Sequence, residues 1–87
     1  MLPSPRNECR ILGGAVRRIR EAKSVTQDAL ATKAEIHFAY LSNIERGHKR
    51  PSLEVIARLA NALEVDLDDI SYMATVYVIA DTEDAVA

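Results

Sequence analysis

The apolar positions fall into short stripes separated by polar breaks, and their spacing gives the elements. Ile11, Leu12, Ala15, Val16, Ile19 and Ala22 recur at helical intervals, with Arg17, Arg18, Arg20 and Glu21 off the stripe. This predicts a first helix over residues 8–23, capped by Asn7 after two prolines. Gly13 and Gly14 each cost about 1 kcal/mol relative to alanine inside a helix, so its first half either frays or lets another backbone come close. Ser24, Val25 and Thr26 break the pattern. Thr26 suits the N-cap of a short second helix, residues 27–34, with Asp28 favoured in the first turn by the helix dipole and Leu30 and Ala31 inward.

Glu35, Ile36 and His37 are too few for an element, and read as a turn before a third helix, residues 38–46, stopped by Gly47. Leu41 and Ile44 point inward from that helix, whereas Phe38, Ala39, Ser42, Asn43 and Arg46 lie on its other faces. After the basic loop His48, Lys49, Arg50, Ser52 caps an amphipathic helix with Leu53, Ile56, Leu59, Ala60 and Leu63. Asp66, with Asp69 three residues on, caps a fifth helix on which Leu67 and Ile70 pack down. Five short helices with brief connections make an all-α orthogonal bundle. Residues 75–79 depart from it, because Thr75, Val76, Tyr77, Val78 and Ile79 are β-branched and aromatic in succession. They are either an edge strand pairing across a dimer or a continuation of the fifth helix. The division expected is an arm at 1–7, a folded domain at 8–73, and a tail at 74–87 whose acidic end is poorly ordered.

Charge sharpens this picture. The net charge is only −2, yet residues 1–50 carry ten Lys/Arg against five acids, and residues 51–87 carry Arg58 alone against eight acids. The split suggests one face for a polyanion and another turned away from it, since phosphate contacts respond to the local field rather than the mean. An 87-residue chain has a thin core, so association would add stability. No apolar run approaches a membrane span, and the chain reads as cytoplasmic. Cys9 is the only cysteine and has no ligand set beside it; with His37 and His48 it lacks metal-ligand spacing. With no paired carboxylates and no phosphate loop, the pattern gives no catalytic residue, no cofactor, and no evident small-molecule ligand.

The motifs Arg17-Arg18-Ile19-Arg20-Glu21, Thr26-Gln27-Asp28-Ala29-Leu30-Ala31, Tyr40-Leu41-Ser42-Asn43-Ile44-Glu45-Arg46-Gly47, Pro51-Ser52-Leu53 and Leu59-Ala60-Asn61-Ala62-Leu63 carry a resemblance. Over residues 11–70 the chain resembles the lambda-repressor-like, or xenobiotic-response-element type, helix-turn-helix regulators, and among them the short restriction-modification controller proteins. The resemblance implies double-stranded DNA as partner, with the third helix in the major groove and the start of the second helix on the backbone. Thr26, Gln27, His37, Phe38, Ala39, Ser42, Asn43, Arg46, Lys49 and Arg50 form the implied DNA-binding set. Gln27 meets a phosphate and supports the third helix. His37, Phe38, Ala39 and Asn43 face base edges, and Arg46, Lys49 and Arg50 meet flanking phosphates. Phe38 touches a thymine methyl, stacks into a deformed step, or folds back onto Tyr40. His37 also suits a cap.

The resemblance further implies an ion pair between Arg20 and Glu45. A twofold homodimer is expected from Ile70, Tyr72, Met73, Val76 and Tyr77, whose apolar area exceeds what a thin core absorbs. Its reading helices would lie about 34 Å apart, one turn of B-DNA. Glu35 departs from the family, which has glycine in this turn, and its side chain points to a different backbone path there. The rival reading is a protein-interaction module or antitoxin of the same fold, its acidic third gripping a basic partner.

Overall fold

The computed structural model describes residues 5–74, with side chains from residue 9 onward. Its elements are α1 (Pro5–Ala22), α2 (Gln27–Ala34), α3 (Phe38–Glu45) and α4 (Leu53–Ala62), followed by a fifth helix, α5, at 67–74. No strand occurs among the described residues, so the bundle is all-α as the spacing predicts. The first boundary differs. α1 begins at Pro5, three residues before its expected start, which places Asn7 in the first turn rather than at the cap and gives residues 5–7 of the expected arm to the helix. Proline tolerates a first helical position because its missing N–H would have no intrahelical acceptor there. The β-prone run at 75–79 and the acidic end lie outside the described residues.

Polar caps start the next helices where the sequence places them. Thr26 accepts from the Ala29 N–H at 3.1 Å, and Ser52 from the Val55 N–H at 3.2 Å. Ahead of α5, the Asp69 carboxylate reaches back to the Asp66 N–H at 2.9 Å. Each satisfies an N–H that the helix itself leaves unpaired.

The helix ends share one device. Ser24, Glu35, Gly47 and Glu64 all adopt left-handed backbone, with φ of 57°, 58°, 78° and 59°. The next residue's N–H then reaches back five positions: Val25 to Arg20, Ile36 to Ala31 and Val65 to Ala60 at 3.0 Å, and His48 to Asn43 at 2.9 Å. This is the Schellman arrangement, in which an apolar residue after the turn packs onto the last turns of the helix. Val25, Ile36 and Val65 do so, lying against the core.

The different backbone path expected at Glu35 is therefore not taken. A left-handed conformation costs a side-chain-bearing residue roughly 1–2 kcal/mol, and here two recovered carbonyl acceptors and the seating of Ile36 outweigh it. Glu35→Gly should relieve most of that strain, while the greater freedom of glycine in the unfolded chain takes part of the gain back. The expected net is about 0.5–1 kcal/mol, a rise of a few degrees in Tm. Thermal unfolding by circular dichroism measures it, and no rise would mean that the turn is not strained.

The core draws on every helix. Val16, Leu30, Leu41, Ile44, Leu59, Leu63 and Ile70 are less than 2% exposed, and burial of each contributes roughly 1.5–3 kcal/mol. α1 packs on α3, and α2 on both α3 and α4. Ile70 packs down as its spacing predicts, 1% exposed in the core of its own chain, and so is not available to the dimer surface also expected of it. Leu67, expected to pack down, is 43% exposed, and Leu53 is 76% exposed. Both sit at the first position of their helices, where the stripe has run past the neighbouring elements.

Two glycines bring α1 against the end of α3. A Cβ at Gly13 would overlap the Ile44 carbonyl oxygen, so only glycine lets the two backbones meet there. From the other side, a Cβ at Gly47 would lie 2.8 Å from the Arg10 Cα. Of the two readings left open for the glycine pair in α1, close backbone approach is the one that holds at Gly13.

Candidate nucleic-acid interface

Glu45 ends α3 facing the interior, and its side chain is only 2% exposed. A buried carboxylate needs compensation, which arrives from two elements. Arg20 of α1 grips both carboxylate oxygens, Nε to Oε2 at 2.7 Å and Nη2 to Oε1 at 2.9 Å. Gln27, the first residue of α2, donates its Nε2 to Oε1 at 2.9 Å. The remaining Arg20 nitrogen, Nη1, donates to the Val25 carbonyl at 2.8 Å. The implied ion pair is thus present as a forked, charge-assisted contact, and the supporting bond implied for Gln27 is made to α3. Its hydrogen bond to Glu45 above all, together with the attraction of Glu45 and Glu21, raises the pKa of Arg20 against the opposing effect of burial. A raised pKa gives stability at every pH below the ordinary guanidinium value, so Arg20 itself confers no pH dependence in the working range.

This brace fixes α3 with its outer face free. Phe38, Ala39 and Arg46 are exposed, and Ser42 and Asn43 are half-buried. His37 caps the helix, its Nδ1 accepting from the Ala39 N–H at 3.3 Å. That leaves its other ring nitrogen for an outside partner. Phe38 remains 45% exposed rather than being absorbed into the core. An open cleft runs between α1, the start of α2 and α3, lined by Arg17, Arg20, Thr26, Gln27, Asp28, Phe38, Ser42 and Arg46. Five residues of the sequence-derived set therefore share one surface: Thr26, Gln27, Phe38, Ser42 and Arg46. Lys49 and Arg50 follow α3 in an exposed loop outside that cleft.

Arg17 was not in the expected set. Its position off the apolar stripe of α1 marked it as solvent-facing, but only the packing of α1 on α3 shows that it borders this cleft. Asn43 and Arg46 also touch. Arg46 Nη2 lies 3.4 Å from Asn43 Oδ1, and Arg46 Nε the same distance from the Ser42 carbonyl. These contacts are long and exposed, hence readily exchanged for other partners.

A helix braced from behind by two others, next to the N-terminus of a short preceding helix, is the helix-turn-helix arrangement, and the helix-turn-helix family model matches residues 16–70. The chain belongs to the lambda-repressor-like helix-turn-helix family. Among curated relatives of this family, the control protein C.BamHI of Bacillus amyloliquefaciens is 39% identical over 72 residues, spanning 80% of this chain and 89% of that one. Among solved structures, the restriction-modification controller protein C.AhdI from Aeromonas hydrophila is 30% identical with a TM-score of 0.72, covering 74% of this chain and 97% of that chain. The clp gene regulator ClgR from Corynebacterium glutamicum is 34% identical with a TM-score of 0.80, covering 97% and 88%. The chain is a transcription regulator of helix-turn-helix type, its similar proteins being regulators rather than enzymes. Among the described residues, no helix of this helix-turn-helix protein is long and apolar enough to cross a membrane.

Proposed function

We propose that this regulator binds a palindromic operator as a homodimer, reads it with α3 in the major groove, and controls expression in a restriction-modification system. The carrying observation is the brace: Arg20, Glu45 and Gln27 lock α3 to α1 and α2 while its outward residues line an open cleft with Thr26 and Gln27. The restriction-modification assignment rests on the names of C.BamHI and C.AhdI and on the extent to which the chains match. In this reading Asn43 pairs bidentately with an adenine, Ala39 and Phe38 approach bases beside it, and His37 lies near the backbone. Arg46, Lys49 and Arg50 meet phosphates.

Asn43→Ala should weaken binding to the preferred operator by about 1–3 kcal/mol and to scrambled DNA much less. Arg46→Ala should weaken both duplexes alike and make log K against log salt shallower by about 0.9, because one fewer phosphate is neutralised. The contact between the two side chains is weak enough for the effects to separate. Titrations of both variants at two salt concentrations, on DNA from upstream of the gene and on a scrambled duplex, are the test. Equal, sequence-independent losses would sink the division of roles. No loss in either variant would favour a module that binds protein instead, in line with the acidic C-terminal third.

The dimer would use the exposed side of α5, where Tyr72 is 68% and Leu67 43% exposed and Met73 is partly buried. Val76 and Tyr77 lie outside the described residues. Sedimentation equilibrium should give twice the chain mass at tens of micromolar, and a monomer at that concentration would count against a preformed dimer.

A further inference from the structure

The cleft beside α3 has a charge balance that turns on one side chain. Among its lining residues Arg20 is neutralised by Glu45, so Arg46 and Arg17 remain as cations against Asp28. Arg17 is bound elsewhere: its Nε donates to the Glu21 carboxylate at 2.6 Å, one turn along α1. Glu21 does not line this cleft. It borders an adjoining hollow together with Arg10 and Arg18, and Arg17 lines both depressions. Paired with Glu21, Arg17 leaves the cleft with Arg46 and Asp28 in balance. Released, it adds a full positive charge beside Thr26 and Gln27.

We propose that Arg17 is a phosphate-binding residue held in reserve by Glu21, and that on DNA its guanidinium exchanges this carboxylate for a backbone phosphate of the duplex that α3 reads. The proposal rests on the DNA-binding reading above and extends the contact surface to α1. The exchange is favourable on general grounds. Both side chains are more than half exposed, at 60% and 55%, and an exposed pair of this kind contributes little in water. A phosphate offers the same guanidinium a forked, charge-assisted contact and releases a condensed counterion from the DNA. Glu21 thereby acts as an internal competitor that lowers affinity for every sequence by a similar factor.

The test compares wild type, Arg17→Gln, Glu21→Gln and the double variant on the upstream duplex and a scrambled duplex, each over a range of salt. Arg17→Gln should weaken both duplexes alike and flatten the slope of log K against log salt by about 0.9. Glu21→Gln should tighten both by about two- to five-fold, and that gain should vanish in the double variant. Arg17→Lys should keep the wild-type slope. Circular dichroism melts of the two exposed-site variants should match wild type, which separates a binding effect from a folding one. An unchanged slope in Arg17→Gln would overturn the proposal. So would a Glu21→Gln gain that survives in the double variant, since Glu21 would then act through its field alone. Wild type failing to bind either duplex would overturn the DNA-binding reading itself.

Discussion

Arg20→Ala is expected to cost about 3–5 kcal/mol of folding stability, a large share of what a domain this small holds. The loss follows from what remains rather than from what is removed. Without Arg20, a carboxylate only 2% exposed keeps, among the described residues, the Gln27 amide as its donor and no ion-pair partner. Glu45→Ala should cost a similar amount, leaving a guanidinium only 11% exposed with the Val25 carbonyl as its remaining hydrogen-bond acceptor among the described residues and only the weaker attraction of Glu21. Replacing both by apolar residues of like volume, Arg20→Met with Glu45→Leu, should recover much of the loss, because neither charge is then stranded. Equilibrium urea unfolding with an unchanged m-value measures all three. If Arg20→Ala cost less than about 1 kcal/mol, the pair would be behaving as a surface contact and the brace would not be what holds α3.

Gly13→Ala should destabilise the fold by about 3 kcal/mol although alanine is the better helix former by about 1 kcal/mol. The added methyl would occupy the place of the Ile44 carbonyl oxygen, a backbone atom that cannot rotate aside. Either α1 moves away from α3 or the last turn of α3 opens. Since Glu45 follows Ile44 directly, displacement there also pulls on the Arg20 contact, and the two effects should be non-additive in the double variant with Arg20→Ala. A variant as stable as wild type would mean that the α1–α3 approach is looser than the structure has it.

Most of the fold was legible along the chain because its signals are local. Thr26 and Ser52 announce helices through their hydroxyls, and Leu30, Leu41, Ile44, Ile56, Leu59 and Leu63 lie where periodicity puts them. What escaped depends on contacts between elements. Periodicity places Leu67 and Ile70 on one face, but how far the neighbouring helices reach decides that only Ile70 is covered. Glu35 is an unfavourable residue for a left-handed turn when read alone, and the seating of Ile36 settles it. The interface divides in the same way. Thr26, Gln27, Phe38, Ser42 and Arg46 were implied by the motifs that carry the family resemblance, while Arg17 enters the cleft only through the packing of α1 on α3.

The glycine seam has a bearing on how such a regulator tolerates variation in its target. With backbone against backbone at Gly13 and again at Gly47, α1 and α3 have no compressible layer of side chains between them at these points. On the proposed reading, α3 therefore has no joint of its own and would travel with the body of the chain. In a dimer, an operator whose half-sites sit a base pair too near or too far could not be met by a swing of α3. The mismatch would fall on the DNA, as bending and twisting whose cost depends on the untouched bases in between, or on the contact between subunits. The spacer of the operator, which no side chain need touch, would then be read through the stiffness of the protein.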